Sequence, residues 1–339
     1  MRPLLIVFFV ALTYTSFAQQ TQDAKQLYET AKTLMRQADY DNAVLVLQNA
    51  LKQDPNNIDM QKDLAFTYFL KRDYSNAIDL GKKLTDRTDA DEQTYQILGM
   101  SYKAIAEYKE CAKLYAKAIK SFPNSGVLYN EWGELLAMDK DVNGSITEWE
   151  KGISVDPEYS SNYYNAVQYY AQAGTDYVKV LLYGELFLNL ESYTTRSADV
   201  KGILLEAWKK LYLKGDLLKQ SNDKSNSPFV KQFLEILSHS ASVAEDGITP
   251  DNLTSIRARF ILDWFSSKSN EKFPYRLFDH QQYLLRQGLF EAYNQWIFGA
   301  AASPSAYQVW VDTHDKQAAS FKQFQQSRIF KIPKSQYYW

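Results

Sequence analysis

Small side chains in the N-terminal half of this chain recur at a fixed spacing of 34 residues, as from Ala31 to Ala65. The register holds without insertion from Ala24 to about Tyr159. Three sets of small residues share the spacing: Ala31, Ala65, Gly99 and Gly133; Ala43, Ala77, Cys111 and Ser145; Ala50, Ala118 and Gly152. Such a period indicates one supersecondary unit copied along the chain. It predicts four units, at residues 24–57, 58–91, 92–125 and 126–159.

Each unit is predicted to fold as two short antiparallel helices. Two helices approach closely only where small side chains face each other, and bulky side chains then fill the gaps between successive pairs. The bulky positions are Leu34, Tyr68, Tyr102 and Leu136, and again Tyr40, Tyr74, Tyr108 and Val142. Pro55, Pro123 and Pro157 stand where the second helix must end, because proline cannot donate the helical amide hydrogen bond.

These positions resemble the tetratricopeptide repeat (TPR) family. The resemblance implies an all-α fold, a right-handed alpha-solenoid of TPR helix pairs. Leu84 and Asp89 in the second unit and Val142 in the fourth depart from the family pattern without shifting its register. A degenerate fifth unit begins at residue 160 and has the expected residue types at Tyr163, Val167, Tyr170 and Gly174.

Helical periodicity continues beyond the regular repeats, so the predicted solenoid covers residues 19–219. The polar run at 220–227 predicts a flexible linker. Residues 228–339 are predicted to form a C-terminal helical region. One degenerate TPR-like unit is expected there, because the sequence at 287–293 resembles the turn and second helix of a repeat.

Cap residues predict two helix starts in the C-terminal region. Thr249 and Ser303 are each followed by a proline, an order typical of an N-cap and the first helical position. Residues 305–339 are predicted to form a closing helix and an aromatic tail.

The start of the chain predicts export. Arg2 is followed by an apolar run from Leu4 to Tyr14, which is too short for a stable membrane anchor. We expect residues 1–18 to be a signal peptide cleaved near Ala18/Gln19, and the mature protein to be periplasmic or secreted in a bacterium. A single cysteine excludes an internal disulfide, which fits a bacterial periplasm.

Composition argues against several classes of function. The 38 basic and 40 acidic residues give a formal net charge of −2, so nucleic acid is not an expected partner. No later stretch is apolar enough for an integral membrane segment. His239, His280 and His314 do not have metal-ligand spacing, and Cys111 occupies a packing position. We therefore predict no catalytic residue, no cofactor and no metal site.

The family resemblance implies a binding surface. In TPR proteins the first helix of each pair lines a concave groove that binds extended peptides or other proteins. Carried over unit by unit, the groove positions are Tyr28, Lys32, Lys62, Phe66, Gln96, Met100, Asn130, Glu134, Tyr164 and Gln168, with Met35, Phe69 and Lys103 one turn further along. The cations among them are too scattered for a terminal-carboxylate clamp. The resulting hypothesis is a non-catalytic exported scaffold that binds a protein or peptide partner.

Two alternatives remain open at this point. Aromatic residues make up 15% of the chain, and the broad architecture resembles TPR-bearing nutrient-binding proteins that partner outer-membrane transporters, which implies a carbohydrate- or small-molecule-binding envelope protein. An enzyme with its site in residues 228–339 is the third hypothesis, since His280 and His314 each stand beside carboxylates and a histidine there could act as a general base.

Overall fold

The computed structural model describes residues 23–339, so the predicted signal peptide lies outside the described residues. Every regular element among them is a helix, which confirms the all-α prediction. None of these helices is both long and apolar enough to cross a bilayer. The chain divides into two compact units between Ala90 and Asp91.

The first unit contains two helix pairs. Their bounds are α1 (Ala24–Arg36), α2 (Tyr40–Gln53), α3 (Ile58–Leu70) and α4 (Tyr74–Thr85). Each helix begins after a side chain that accepts a backbone N–H of the first turn, namely Asp23, Asp39, Asn57 and Asp73. The buried cluster of this unit consists of Ala31, Val44, Leu47 and Leu64.

The second unit begins with three further pairs in the same order. Their helices are α5 (Glu92–Ala104), α6 (Tyr108–Ser121), α7 (Gly126–Met138), α8 (Val142–Val155), α9 (Ser160–Ala173) and α10 (Tyr177–Leu190). Helices α6 and α8 end two residues before Pro123 and Pro157, as the proline positions predict. The last pair corresponds to the predicted fifth unit.

The small residues of the repeat are buried where paired helices meet, as predicted. Ala31 and Ala65 have no exposed surface. A Cβ atom at Gly99 would lie 2.0 Å from Tyr115 Oη, and one at Gly133 would lie 2.3 Å from Trp149 Nε1. Glycine is therefore needed at these two positions for α5 to approach α6 and for α7 to approach α8.

The turn inside each pair also repeats, and it uses the left-handed region of backbone space. Positive φ values occur at Ala38 (58°), Arg72 (66°), Ala106 (60°), Lys140 (67°) and Gly174 (64°), all 34 residues apart. The next amide closes each of the first four turns by donating to a carbonyl five residues earlier, as Glu107 N does to Tyr102 O at 2.9 Å. The left-handed conformation costs a non-glycine residue about 1 kcal/mol.

The rest of the second unit is helical but not periodic. It contains α11 (Thr195–Leu213), α12 (Leu217–Ser221), α13 (Pro228–Ser238), α14 (Ala241–Glu245), α15 (Pro250–Ser266), α16 (Ser269–Lys272), α17 (Arg276–Arg286), α18 (Phe290–Asn294), a π-helical turn (Gln295–Gly299), α19 (Ala300–Ala302), α20 (Pro304–Thr313) and α21 (Asp315–Ser327). Thr249 and Ser303 cap α15 and α20 as predicted. The predicted closing helix is divided into α20 and α21 at His314.

The predicted linker at 220–227 differs from what the structure shows. Its first residues belong to α12, and Leu217, Ser221 and Phe229 are buried. One hydrophobic cluster of the second unit contains residues from both sides of this segment. The segment therefore connects two parts of one core, because α12 and α13 bury side chains in the same cluster. The other predicted domain boundaries stay predictions.

Aromatic rings fill the core between α13, α15 and α17. Trp264 has no exposed surface, and its ring centroid lies 4.9 Å from that of Phe278. A polar cluster is buried beside them, in which Arg257 pairs with Glu185. Glu185 Oε1 also accepts from Gln281 Nε2 at 2.5 Å and from Tyr293 Oη at 2.8 Å. Each of these four side chains thus has a partner inside the protein.

Candidate partner-binding faces

The first helices of the pairs in the first unit, α1 and α3, carry four of the predicted groove residues. Tyr28 Oη donates to Asp63 Oδ2 at 2.8 Å. Lys32 Nζ lies 4.6 Å from the centroid of the Tyr28 ring and forms an ion pair with Glu29 at 2.6 Å. We call the surface formed by α1 and α3 the first-helix face of the first unit.

The surroundings of the Tyr28–Asp63 hydrogen bond raise the pKa of both side chains. Burial, and next the bond to the Asp63 carboxylate, raise the pKa of Tyr28 above its ordinary value. Burial also raises the pKa of Asp63. Tyr28 therefore stays a neutral donor at physiological pH and holds α1 to α3.

Phe66 and Phe69 form an aromatic pair on this face. The Phe66 ring lies 6.1 Å from that of Phe69, at an interplanar angle of 13°, and both side chains are half-buried. Lys62 was predicted to lie on the open surface of the groove. The structure buries it, since only 7% of its side chain is exposed. Its ammonium pairs with Asp59 at 3.0 Å, so the charge is neutralised as the side-chain stem is buried.

An ion-pair network dominates the first-helix face of the second unit, which consists of α5, α7 and α9. Lys103 Nζ lies 2.6 Å from Glu131 Oε2 and 2.8 Å from Glu134 Oε2. Gln96 Nε2 donates to Glu131 Oε1 at 2.9 Å, and Tyr115 Oη donates to Glu131 Oε2 at 3.1 Å. Glu131 thus joins α5, α6 and α7.

Electrostatics fix the charge state of this network. Burial alone would lower the pKa of Lys103, but the carboxylates of Glu131 and Glu134 raise it above its usual value. Burial, and next the charge of Glu131, hold the pKa of Tyr115 well above its ordinary value. Lys103 therefore remains a cation that is already occupied by two carboxylates.

Asn130 is buried, contrary to its predicted place in the groove. It is 2% exposed, and its backbone oxygen accepts from Trp149 Nε1 at 3.3 Å. Its Nδ2 atom has no hydrogen-bond partner among the residues that the structure describes. The repeat pattern does not reveal that this side chain is buried.

Three predicted residues remain partly accessible on α5 and α9. Met100, Tyr164 and Gln168 are half-buried. The Arg196 guanidinium lies 5.0 Å from the Tyr164 ring centroid, and the Phe187 ring lies 5.5 Å away. These two contacts hold the Tyr164 ring in place, so that it offers a partly accessible aromatic surface.

Residues 34–100 match a family model described as tetratricopeptide repeat. The matched segment contains the same 34-residue register whose small residues are buried where the two helices of a pair meet. The chain contains tetratricopeptide repeats.

Three relatives show the extent of the similarity. Tetratricopeptide repeat protein 21B of Homo sapiens is 24% identical over 138 residues, which are 40% of this chain and 10% of that protein. The chain thus spans about a tenth of that relative's length. A thermophilic TPR protein of Thermus thermophilus is 16% identical, with a TM-score of 0.45 over 55% of this chain and 98% of that chain. Pseudomonas aeruginosa pilF is 16% identical, with a TM-score of 0.46 over 60% and 93%.

The sequence reasoning missed two carboxylates that organise the TPR first-helix faces. Asp63 stands 35 residues after its donor Tyr28, and Glu131 stands 35 residues after its donor Gln96. Each carboxylate stands 35 residues, one repeat plus one position, after a polar groove residue. This spacing is the signal that could have identified both. The pattern of small and bulky residues does not reveal these two carboxylates, because they belong to neither set.

Two of the candidates for chemistry, His280 and Cys111, are buried. Burial, with Arg328 and Arg276 nearby, lowers the pKa of His280 to about 2, so this histidine does not take up a proton at physiological pH. Burial raises the pKa of the Cys111 thiol to about 11, which suppresses the thiolate. No metal-ligand cluster of His, Cys, Asp and Glu occurs within residues 23–339.

Proposed function

We propose that this TPR protein is a non-catalytic interaction scaffold that binds a protein or peptide partner on its first-helix faces. One observation carries the proposal. Phe66, Met100 and Tyr164 remain partly accessible on first helices, while Lys62 and Lys103 are paired with carboxylates. Supported aromatic and methionine side chains of this kind are typical of binding anchors.

The charges on these faces narrow the chemistry of the partner. Each predicted groove cation already has an acidic neighbour: Lys32 pairs with Glu29, Lys62 with Asp59, and Lys103 with Glu131 and Glu134. A terminal carboxylate of a partner would have to displace one of these acids. The faces therefore favour a segment that binds through apolar anchors over one that ends in a free carboxylate.

A site-specific crosslinking experiment tests the location of binding. A photoreactive amino acid is placed at Phe66 or Tyr164 on the first helices, or at Leu45 or Val142, which are exposed on second helices. We expect one crosslinked peptide, identified by mass spectrometry, at the first two positions and none at the controls. Equal crosslinking at all four positions would contradict the proposal.

An affinity measurement with the identified peptide tests the energetics. Phe66→Ala or Tyr164→Ala should weaken binding at least about tenfold, since anchors of an interface each contribute about 2 kcal/mol or more. Leu45→Ala is the matched control and should bind as the parent does. Unchanged affinity of both anchor variants, with circular dichroism showing an intact fold, would exclude the first-helix faces as the site.

We also propose that the protein is exported to the periplasm after removal of residues 1–18. The short apolar run and the small residues before Gln19 support this. N-terminal sequencing of protein from the periplasmic fraction should begin near Gln19. Phe8→Arg, which interrupts the apolar run, should retain the protein in the cytoplasmic fraction. A full-length N-terminus in the parent protein would contradict export by this route.

A further inference from the structure

A cavity of about 540 Å³ lies in the C-terminal part of the second unit, and none of the predicted groove residues lines it. Its walls come from the π-helical turn, from α20 and α21, and from the loop that precedes α11. Its aromatic lining consists of Tyr193, Trp296, Tyr307, Trp310 and Phe321. The volume lies within the range of about 300–1,000 Å³ that is usual for small-molecule sites.

The backbone is adapted to hold these rings in place. A Cβ atom at Gly299 would lie 2.4 Å from Tyr307 Cδ2, so only glycine leaves room for the Tyr307 ring. Trp310 Nε1 donates to Glu291 Oε1 at 3.1 Å, which fixes the indole. The rings of Tyr307 and Trp310 are nearly parallel, at 6° with centroids 6.5 Å apart.

The π-helical turn positions Trp296 in the wall of the cavity. It carries Trp296, which is 8% exposed and packs 5.9 Å from Phe321 and 6.4 Å from Tyr193 between ring centroids. Short π-helical insertions of this kind occur frequently at functional sites, because they shift side chains out of the α-helical register. Tyr193 is 60% exposed, so the cavity has an accessible aromatic edge.

The polar groups of the lining have both signs of charge. Asp312, Asp315 and Lys322 line the cavity and are exposed. Lys201 Nζ already lies 4.2 Å from the centroid of the Trp296 ring. A cationic ligand against this wall would therefore meet an existing ammonium, and an anionic ligand would meet the two aspartates.

We propose that this cavity binds a neutral saccharide. A pyranose ring has a face of C–H groups that packs on aromatic rings, and hydroxyls around it that can both donate and accept hydrogen bonds. The flat rings of Tyr307 and Trp310 match the first property. The carboxylates of Asp312 and Asp315, which only accept when ionised, and the Lys322 ammonium, which only donates, match the second.

Isothermal titration calorimetry on the full mature chain tests the proposal. The probes are methyl glucoside, N-acetylglucosamine, cellobiose and maltose, with choline chloride as the cationic comparison. We expect saturable binding of at least one saccharide at one site per chain. Tyr307→Ala should weaken it about tenfold or more through loss of the stacking wall. Asp312→Asn should weaken it by a smaller factor.

Two variants separate loss of the site from loss of the fold. Gly299→Ala displaces the Tyr307 ring and should also weaken binding, while Val309→Ala changes an exposed residue of α20 that does not line the cavity and should bind as the parent does. Circular dichroism establishes that each variant is folded. The proposal is overturned by no saturable heat with any of the four saccharides, by binding of choline alone, or by unchanged affinity of Tyr307→Ala. Phe66→Ala should leave saccharide binding intact, so this result is independent of the partner-binding proposal.

Discussion

The TPR pairs within residues 24–190 and the helices within residues 228–339 have the same secondary structure but different packing. In the pairs, contact depends on small residues at a fixed period, as at Gly133, where a Cβ would meet the Trp149 ring. In the later helices, rings such as Phe278 and Trp264 fill the core at no fixed spacing. The first kind of packing is a local interface repeated along the chain. The second is one shared cluster, which also includes buried side chains of α8, α9 and α10.

The difference implies different responses to mutation. Each repeat interface involves neighbouring helices, so a defect there should remain close to its site. A ring in a shared cluster contacts several helices at once, so its loss should reach all of them. The following predictions compare the two kinds of packing.

The largest effect is expected for Trp264→Ala. Its ring contacts Phe229, Phe260, Phe273 and Phe278, and the substitution leaves a large cavity. The free energy of unfolding should fall by about 4 kcal/mol, measured by urea denaturation. Hydrogen exchange should accelerate throughout α13, α15 and α17.

Leu47→Ala is the comparison in the repeats, because Leu47 is fully buried in a separate cluster with Ala31, Val44 and Leu64. Its exchange effect should be confined to α1, α2 and α3, the helices next to the lost side chain. If both variants accelerate exchange over the same residues, the distinction between local and shared packing is incorrect.

Arg257→Met should lower the free energy of unfolding by about 3 kcal/mol, because it leaves the Glu185 carboxylate buried without its cation. A double variant with Glu185→Gln should recover part of the loss in the same denaturation experiment. Lys103→Met in the repeats also leaves a buried carboxylate, because the side chain of Glu131 is 7% exposed, so it should cost a comparable amount. A much smaller cost for the lysine variant would show that water reaches Glu131 once the ammonium is removed.

His280 should make stability depend on pH. Its folded pKa, about 2, is below the unfolded value of 6.5, so the unfolded chain binds the proton first and stability falls as pH drops below 6.5. The contribution lost at pH 5 is about 2 kcal/mol relative to pH 7. His280→Phe should reduce the difference in unfolding free energy between pH 7 and pH 5 by that amount.

The smallest effect concerns the left-handed turns of the repeats. Ala106→Gly should raise the free energy of unfolding by about 0.5–1 kcal/mol, because glycine adopts positive φ without steric cost. Gly174→Ala, at the equivalent turn, should lower it by about 1 kcal/mol. Thermal denaturation of both variants checks the prediction, and a destabilised Ala106→Gly would show that this turn is not strained.

The candidate faces could be predicted only in part. Placing Phe66, Met100 and Tyr164 on first helices follows from the repeat register, and the structure leaves them partly accessible. The burial of Lys62 and Asn130 could not be read from the register, because it depends on contacts with Asp59 and Trp149. The cavity lined by Tyr193 and Trp310 was not predicted, since these two residues are far apart in sequence.

The sequence alone determined the TPR pairs, because a helix pair is a local unit whose small and bulky residues must recur wherever the same interface recurs. It also determined the starts of α15 and α20, since a cap acts on the residues next to it. Only the tertiary structure decided which charged groups are neutralised and which rings share a core. Those outcomes depend on distances between residues such as Glu185 and Arg257. Folding brings these residues together, and no regular spacing in the sequence indicates that they will meet.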